Sequence, residues 1–92
     1  MEIKHTDSRE RGAFYLYDGD KQIGELNYNW LNDHLIDVDH TYVDGIYTGQ
    51  GLAKKLFEAM VEWAIERELK VVPTCSYIHH LMVTKGEHAH LV

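Results

Sequence analysis

Proline and cysteine each occur once, as Pro73 and Cys75. A single thiol cannot close a disulfide within the chain, so a disulfide-stapled secreted scaffold is excluded and the cytoplasm is the expected compartment. No run of about 18 apolar residues occurs, the length a membrane-spanning helix needs. Met1 to Arg11 is polar and charged, without the apolar region of an export signal. Neither membrane nor export is expected. Basic residues are also scarce: 9 Lys and Arg stand against 15 Asp and Glu, a net charge of -6. Binding to phosphate backbones needs clustered cations that release counterions, so no nucleic-acid partner is expected. The same acidity weakly attracts a cationic amine.

What is present suits one globular core. Of 92 residues, 45% are hydrophobic and 26% charged, a balance able to offset chain entropy by burial in a single domain spanning 1–92. The polar tail 85–92 is expected to fray. Ala13 to Tyr17 and Gln22 to Trp30 are strand-like and flank Asp18-Gly19-Asp20, which predicts a β-hairpin. From Leu35 to Val43, Ile36, Val38, His40 and Tyr42 alternate with Asp37, Asp39 and Thr41, the period of a strand with one apolar face. Glu2 to His5 is a weaker edge-strand pattern.

After Gln50 the period changes. Leu52, Leu56, Ala59, Met60, Trp63 and Ala64 recur at helical spacing, with Lys54, Lys55, Glu58, Glu62 and Glu66 opposite. Leu69 to Val72 follows as a short buried strand stopped by Pro73, and Ser76 is the expected cap of a last helix through Met82. The fold class is α/β in the α+β sense.

The segment most informative about function is VDGIYTGQGLAK, Val43 to Lys54, which joins a strand to the long helix through Gly45, Gly49 and Gly51. A helix start leaves backbone N–H groups unpaired and favours negative charge, and glycine lets phosphate oxygens approach without a Cβ in the way. Lys54 lies in the first turn, within reach of such a phosphate. Neither the dinucleotide pattern GxGxxG nor a P-loop GK[ST] is met.

At this point a resemblance enters. HTYV at 40–43, YTGQGLAKKL at 47–56 and VVPTCSYI at 71–78 resemble the short, single-domain branch of the GNAT N-acetyltransferase superfamily, over nearly the whole chain. The resemblance implies a mixed, mostly antiparallel GNAT-like sheet, with a long helix after the central strand, a further strand and a short C-terminal helix. It also implies acetyl-coenzyme A, or coenzyme A, as co-substrate, held by Val43, Thr48, Gly49, Gln50, Gly51, Leu52, Ala53 and Lys54. The superfamily's loop motif R/Q-x-x-G-x-G/A falls on Thr48 to Ala53, with Thr48 in the place of Arg or Gln. One side-chain contact is thereby lost, while the amides from Gly49 to Ala53 stay available. The pantetheine arm would lie in a splay between the strand ending at Val43 and the strand 69–72.

Acetyl transfer needs a neutral amine, donors for the developing oxyanion and an acid for the departing thiolate. Cys75 follows the last strand and is either a small buried hydrophobe or a nucleophile or acid–base group. Tyr77 resembles the tyrosine with which many relatives protonate the thiolate; the bland alternative is a packed aromatic. His40 is expected to be partly buried on the apolar strand face, as a structural histidine or a proton acceptor. No metal is expected: His79, His80, His88 and His90 lack ligand spacing.

Two functions from different classes follow. One is an acetyltransferase acting on an amine, either a small molecule or a protein side chain. The other is a non-catalytic coenzyme A-binding or interaction module that keeps the scaffold. The expected element order lacks the helices usual between the superfamily's first two strands, so an open acceptor site is expected, in a monomer or a homodimer.

Overall fold

Backbone pairing extends the first three expected strands beyond their apolar stretches, keeps the fourth at Leu35–Val43 and begins the last one residue later than expected, at Lys70. In the computed structural model, which describes residues 1–92, β1 (Glu2–Asp7), β2 (Arg11–Asp18), β3 (Lys21–Asn32) and β4 (Leu35–Val43) form an antiparallel meander. After the long helix α1 (Leu52–Glu66), β5 (Lys70–Val72) adds to the edge in parallel with β4, giving the order β1-β2-β3-β4-β5. A parallel neighbour requires a crossover, and α1 supplies it.

The helix buries Leu52, Leu56, Phe57, Met60, Val61 and Ala64 against Phe14, Leu16, Leu26, Ile36 and Val38 of the sheet. Ala59 and Trp63, expected on the same stripe, form its half-buried margin. Leu56 is fully enclosed, so truncating it to alanine should cost about 2–5 kcal/mol.

Three details differ from expectation. First, Tyr28 pairs with Val38 and Asn27 with His40, so Asp39 has no partner of its own on β3. This is a β-bulge, and it resets the alternation. Thr41, opposite buried Leu26, turns towards the core, while His40 and Tyr42 turn outward and are exposed. The expected partial burial of His40 is therefore corrected.

Second, Ser76 is the first helical residue and not the cap. Cys75 holds the N-cap position, with φ -61° and ψ 130° and no side-chain capping bond. The helix α2 (Ser76–His79) continues as a wider π turn, His80–Thr84, and together they bury Ile78, Leu81 and Met82.

Third, the tail is packed against the rest of the chain. Leu91 is buried in the core, Glu87 pairs with Lys54 of α1, and Lys70 donates to the carbonyl of His90. Local polarity at 85–90 predicts a loose end, and one distant apolar anchor overrides it. The tail and α2 pack beside α1, so the helices share one face of the sheet. The other face carries Tyr15, Glu25, Asn27, Asp37 and His40 with no helix over it.

Candidate functional site

The parallel strands part early. β5 pairs with β4 only from Leu35 to Asp37, Pro73 follows without an N–H to offer, and the Cys75 N–H makes the last link, to the Val38 carbonyl at 2.8 Å. Asp44 donates its N–H to Ile23 of β3 at 2.8 Å. By alternation, His40 and Tyr42 direct their backbone groups to β3, and Thr41 and Val43 direct theirs to the open side of the splay.

Beyond Val43 the chain makes a 3-10 turn, Gly45–Tyr47, pinned by the Tyr47 hydroxyl donating to Asp18 at 2.7 Å. Gly49 and Gly51 then adopt φ of 85° and 71°, the left-handed region where a Cβ is strained. Gly51 is the N-cap of α1, so the amides of the first turn have no partner within the helix.

These elements enclose a cleft of about 340 Å³. Val43 forms one wall, Thr48, Gly49 and Gly51 the rim, Leu52, Ala53 and Lys54 the helical side, and Tyr77 of α2 the far wall. Tyr47, which the sequence did not single out, also lines it. Gln50 lies in the same loop but is exposed and outside the lining. A Cβ added to Gly49 or Gly51 would meet nothing within 4 Å. That open space beside unpaired amides is what a bound phosphate group requires, and the residues present fit the pyrophosphate of coenzyme A.

The charged groups of the cleft are partly committed. Lys54 Nζ lies 2.8 Å from Glu87 Oε1. Their hydrogen bond raises the lysine above its ordinary pKa and holds the Glu87 carboxyl below the usual carboxylate range. Tyr77 is pushed up from 10, chiefly by burial, with Lys54 acting in the opposite sense. Its phenol stays protonated at neutral pH and is a donor, not a base.

Cys75 and His40 stand apart from the cleft lining. The half-buried Cys75 thiol donates to the Thr41 hydroxyl at 3.6 Å, at the closed end of the splay. His40 is on the helix-free face. The structure therefore brings Tyr77 together with the glycine loop, sets Cys75 at the closed end of the opening and leaves His40 on the opposite face of the sheet. Glu87, thirty-three positions beyond Lys54 in the chain, was illegible beforehand because only tertiary packing brings it there.

A second polar cluster, also missed, pins the edge strand β1. The Tyr28 hydroxyl donates to Asp7, Trp30 Nε1 donates to the same carboxylate oxygen at 2.9 Å, and His5 Nε2 lies 2.8 Å from the hydroxyl. Since Tyr28 gives its one proton to Asp7, His5 Nε2 must carry the hydrogen in the other bond. His5 also stacks on Phe14, with ring centroids 4.0 Å apart. Gly12 makes this network fit, since a Cβ there would overlap the Tyr28 hydroxyl.

A meander continued by a helix into a parallel strand, splayed beside a glycine-rich helix start, is the architecture of an acetyltransferase fold. Residues 13–91 match the GCN5-related N-acetyltransferase family, and the chain belongs to it. It is 32% identical over 78 residues to the human protein NATD1, covering 85% of this chain and 68% of that protein. The solution structure of a GCN5-like putative N-acetyltransferase from Staphylococcus aureus superposes with a TM-score of 0.74 at 32% identity, over 98% of this chain and 85% of that one. A GNAT family acetyltransferase from Elizabethkingia anophelis, with acetyl-CoA bound, shares the fold at a TM-score of 0.64 and 12% identity, covering 83% of this chain and 52% of that chain. No helix is long and apolar enough to cross a membrane.

Proposed function

We propose that this chain binds acetyl-coenzyme A in the cleft at the start of α1 and transfers the acetyl group to an amine. The observation that carries the reading is the cleft itself, in which Gly49 and Gly51 in left-handed geometry leave space beside the unpaired amides of the α1 N-terminus. The acetyl-CoA bound to the fold neighbour from Elizabethkingia anophelis supports it. The single Cys75, free and half-buried, suits a cytoplasmic setting.

When bound, the co-substrate supplies a thioester; the amine nitrogen forms the new C–N bond, the C–S bond breaks, and the amine loses one proton as the thiolate departs. In this reading Thr41 and Val43 offer backbone groups along the open edge of β4 to an extended arm, as a missing strand would receive them. Tyr77 donates a hydrogen bond to the leaving sulfur. Its raised pKa makes full proton transfer to a thiolate uphill, so its contribution is mainly stabilising charge. His40 accepts the amine proton, and Cys75 either takes up the acetyl group transiently or relays a proton.

A specific observation favours the alternative, a coenzyme A-binding module without turnover. Thr48 replaces the motif's Arg or Gln, and the one cation lining the cleft, Lys54, is held by Glu87. Calorimetric titration with acetyl-coenzyme A, followed by turnover assays over a panel of amines, separates the two. Binding with acetylated product establishes the enzyme, binding without product leaves the module, and no binding removes both.

A further inference from the structure

Ala13 is buried, with 3% of its surface exposed, yet stands outside the 19-residue core. It precedes core residue Phe14 by one position on β2, so it faces the other side of the sheet, where no helix lies. Its burial comes from neighbours on that face. Thr6, Arg11, Tyr15 and Asn27 rise around it and leave a hollow of about 260 Å³ with the Ala13 methyl at its floor.

The hollow has one free cation. Arg11 makes no ion pair. Asp7, also at the rim, already accepts from Tyr28, Trp30 and the Arg9 N–H. Across the sheet, Thr6, Ala13, Asn27 and His40 form one continuous ladder row. Two inter-strand steps, about 10 Å, separate Ala13 from His40. His40 adjoins Thr41, whose hydroxyl meets Cys75 at the closed end of the splay. Asp39 on the bulge and Asp37 two residues before it add negative charge at that end, while Arg11 adds positive charge at the other. On this face the cation Arg11 of β2 thus stands across the sheet from the carboxylates Asp37 and Asp39 of β4, with Glu25 further along β3.

We propose that this helix-free face holds the acceptor, and that the acceptor is a small amine carrying a carboxylate about 10 Å from its nitrogen, as a short peptide does. The carboxylate sits on Arg11 and Asn27 over the Ala13 methyl, and the amine arrives beside His40 and the acidic bulge. The inference rests on the acetyl-transfer reading and adds to it the chemistry of the acceptor.

Triglycine, whose three residues extend to about 10 Å, and its neutral carboxamide are the probes. Each is titrated into the isotope-labelled full chain with the amide resonances of Ala13, Asn27 and His40 followed. Triglycine should shift these three resonances, and the carboxamide should bind at least about tenfold more weakly for want of a charge-assisted bond. Arg11→Gln should erase that difference, and Ala13→Leu, which fills the floor, should weaken both ligands. Equal binding of the two peptides, shifts confined to other residues, or no binding at millimolar peptide would overturn the proposal. A separate coenzyme A titration reads Gly49 to Ala53. Its failure in the parent chain removes the acetyl-transfer reading, whereas its success alongside a failed peptide titration removes only the acceptor assignment.

Discussion

The backbone N–H of Cys75 donates to the carbonyl of Val38 at 2.8 Å, and past that bond β4 runs on to Val43 without a strand paired to its outer side. One hydrogen bond therefore marks where the sheet stops being continuous and a ligand edge begins. The thiol of the same residue reaches Thr41, three positions further along β4. Cys75 thus marks the start of the splay with its backbone and reaches β4 with its thiol.

Replacing Cys75 with serine keeps size nearly constant while removing most nucleophilicity. Acetyl-coenzyme A affinity should stay within about twofold, and turnover on the best amine should fall by at least about tenfold, in the range of lost acid–base or nucleophilic assistance. Mass spectrometry of the parent protein during turnover looks for a covalent acetyl adduct. Unchanged turnover together with no adduct reduces Cys75 to a packing residue and leaves direct attack.

Gly51→Val should weaken coenzyme A binding at least about tenfold, because the side chain enters the space beside the first-turn amides. Forcing valine to a φ near 71° also costs about 1–2 kcal/mol. Melting curves read the strain and calorimetry reads the affinity. In the parent chain, coenzyme A at a hundredfold excess over its Kd should add about 2.7 kcal/mol of stability. A Gly51→Val protein that binds as tightly as the parent would show that the site has been misplaced.

Glu87 competes with any phosphate for Lys54. Glu87→Gln should release the ammonium and tighten coenzyme A binding a few-fold, and Lys54→Ala should loosen it by a similar factor. Both effects should shrink as salt is raised, since the pair is partly exposed. Identical affinities for all three proteins at low salt would mean that Lys54 does not face the ligand.

The His5, Tyr28 and Asp7 network predicts acid sensitivity with a definite sign. Burial lowers the pKa of His5 below 6.5, and the Asp7 carboxyl is lowered below 3.8 because bonds from Tyr28, Arg9 and Trp30 outweigh its desolvation. In both windows the unfolded chain binds more protons than the folded one, so stability falls as pH drops. The His5 contribution is complete above pH 6.5 and is lost on descending from there. The Asp7 contribution holds until below pH 3.8. Calorimetric melting between pH 7 and 5 should show a flatter slope for His5→Gln than for the parent. Tyr28→Phe should cost about 0.5–1.5 kcal/mol at neutral pH, since His5 loses its partner while Asp7 keeps its bonds from Trp30 and the Arg9 N–H. Parallel slopes for parent and His5→Gln would remove His5 from the account.

The helix α1 and the glycine loop were legible because their signals are local. Leu52, Leu56, Met60 and Ala64 repeat at the helical period wherever the chain goes, and a run with Gly49 and Gly51 before that period marks a helix start under any fold. The strands β2, β3 and β4 were legible for the same reason. The bulge at Asp39 was not, because a bulge is a relation between two strands: only the pairing of Asn27 with His40 and of Tyr28 with Val38 leaves Asp39 over. That single offset sends His40 outward and Thr41 inward towards Cys75, which no reading of β4 alone could give. The anchoring of the tail by Leu91, the pairing of Glu87 with Lys54 and the hollow over Ala13 are likewise contacts between segments far apart in the chain. Composition and periodicity determined which elements form and which face of each is apolar; long-range packing, whose free energy depends on partners many residues away, decided which polar side chains meet around the splay.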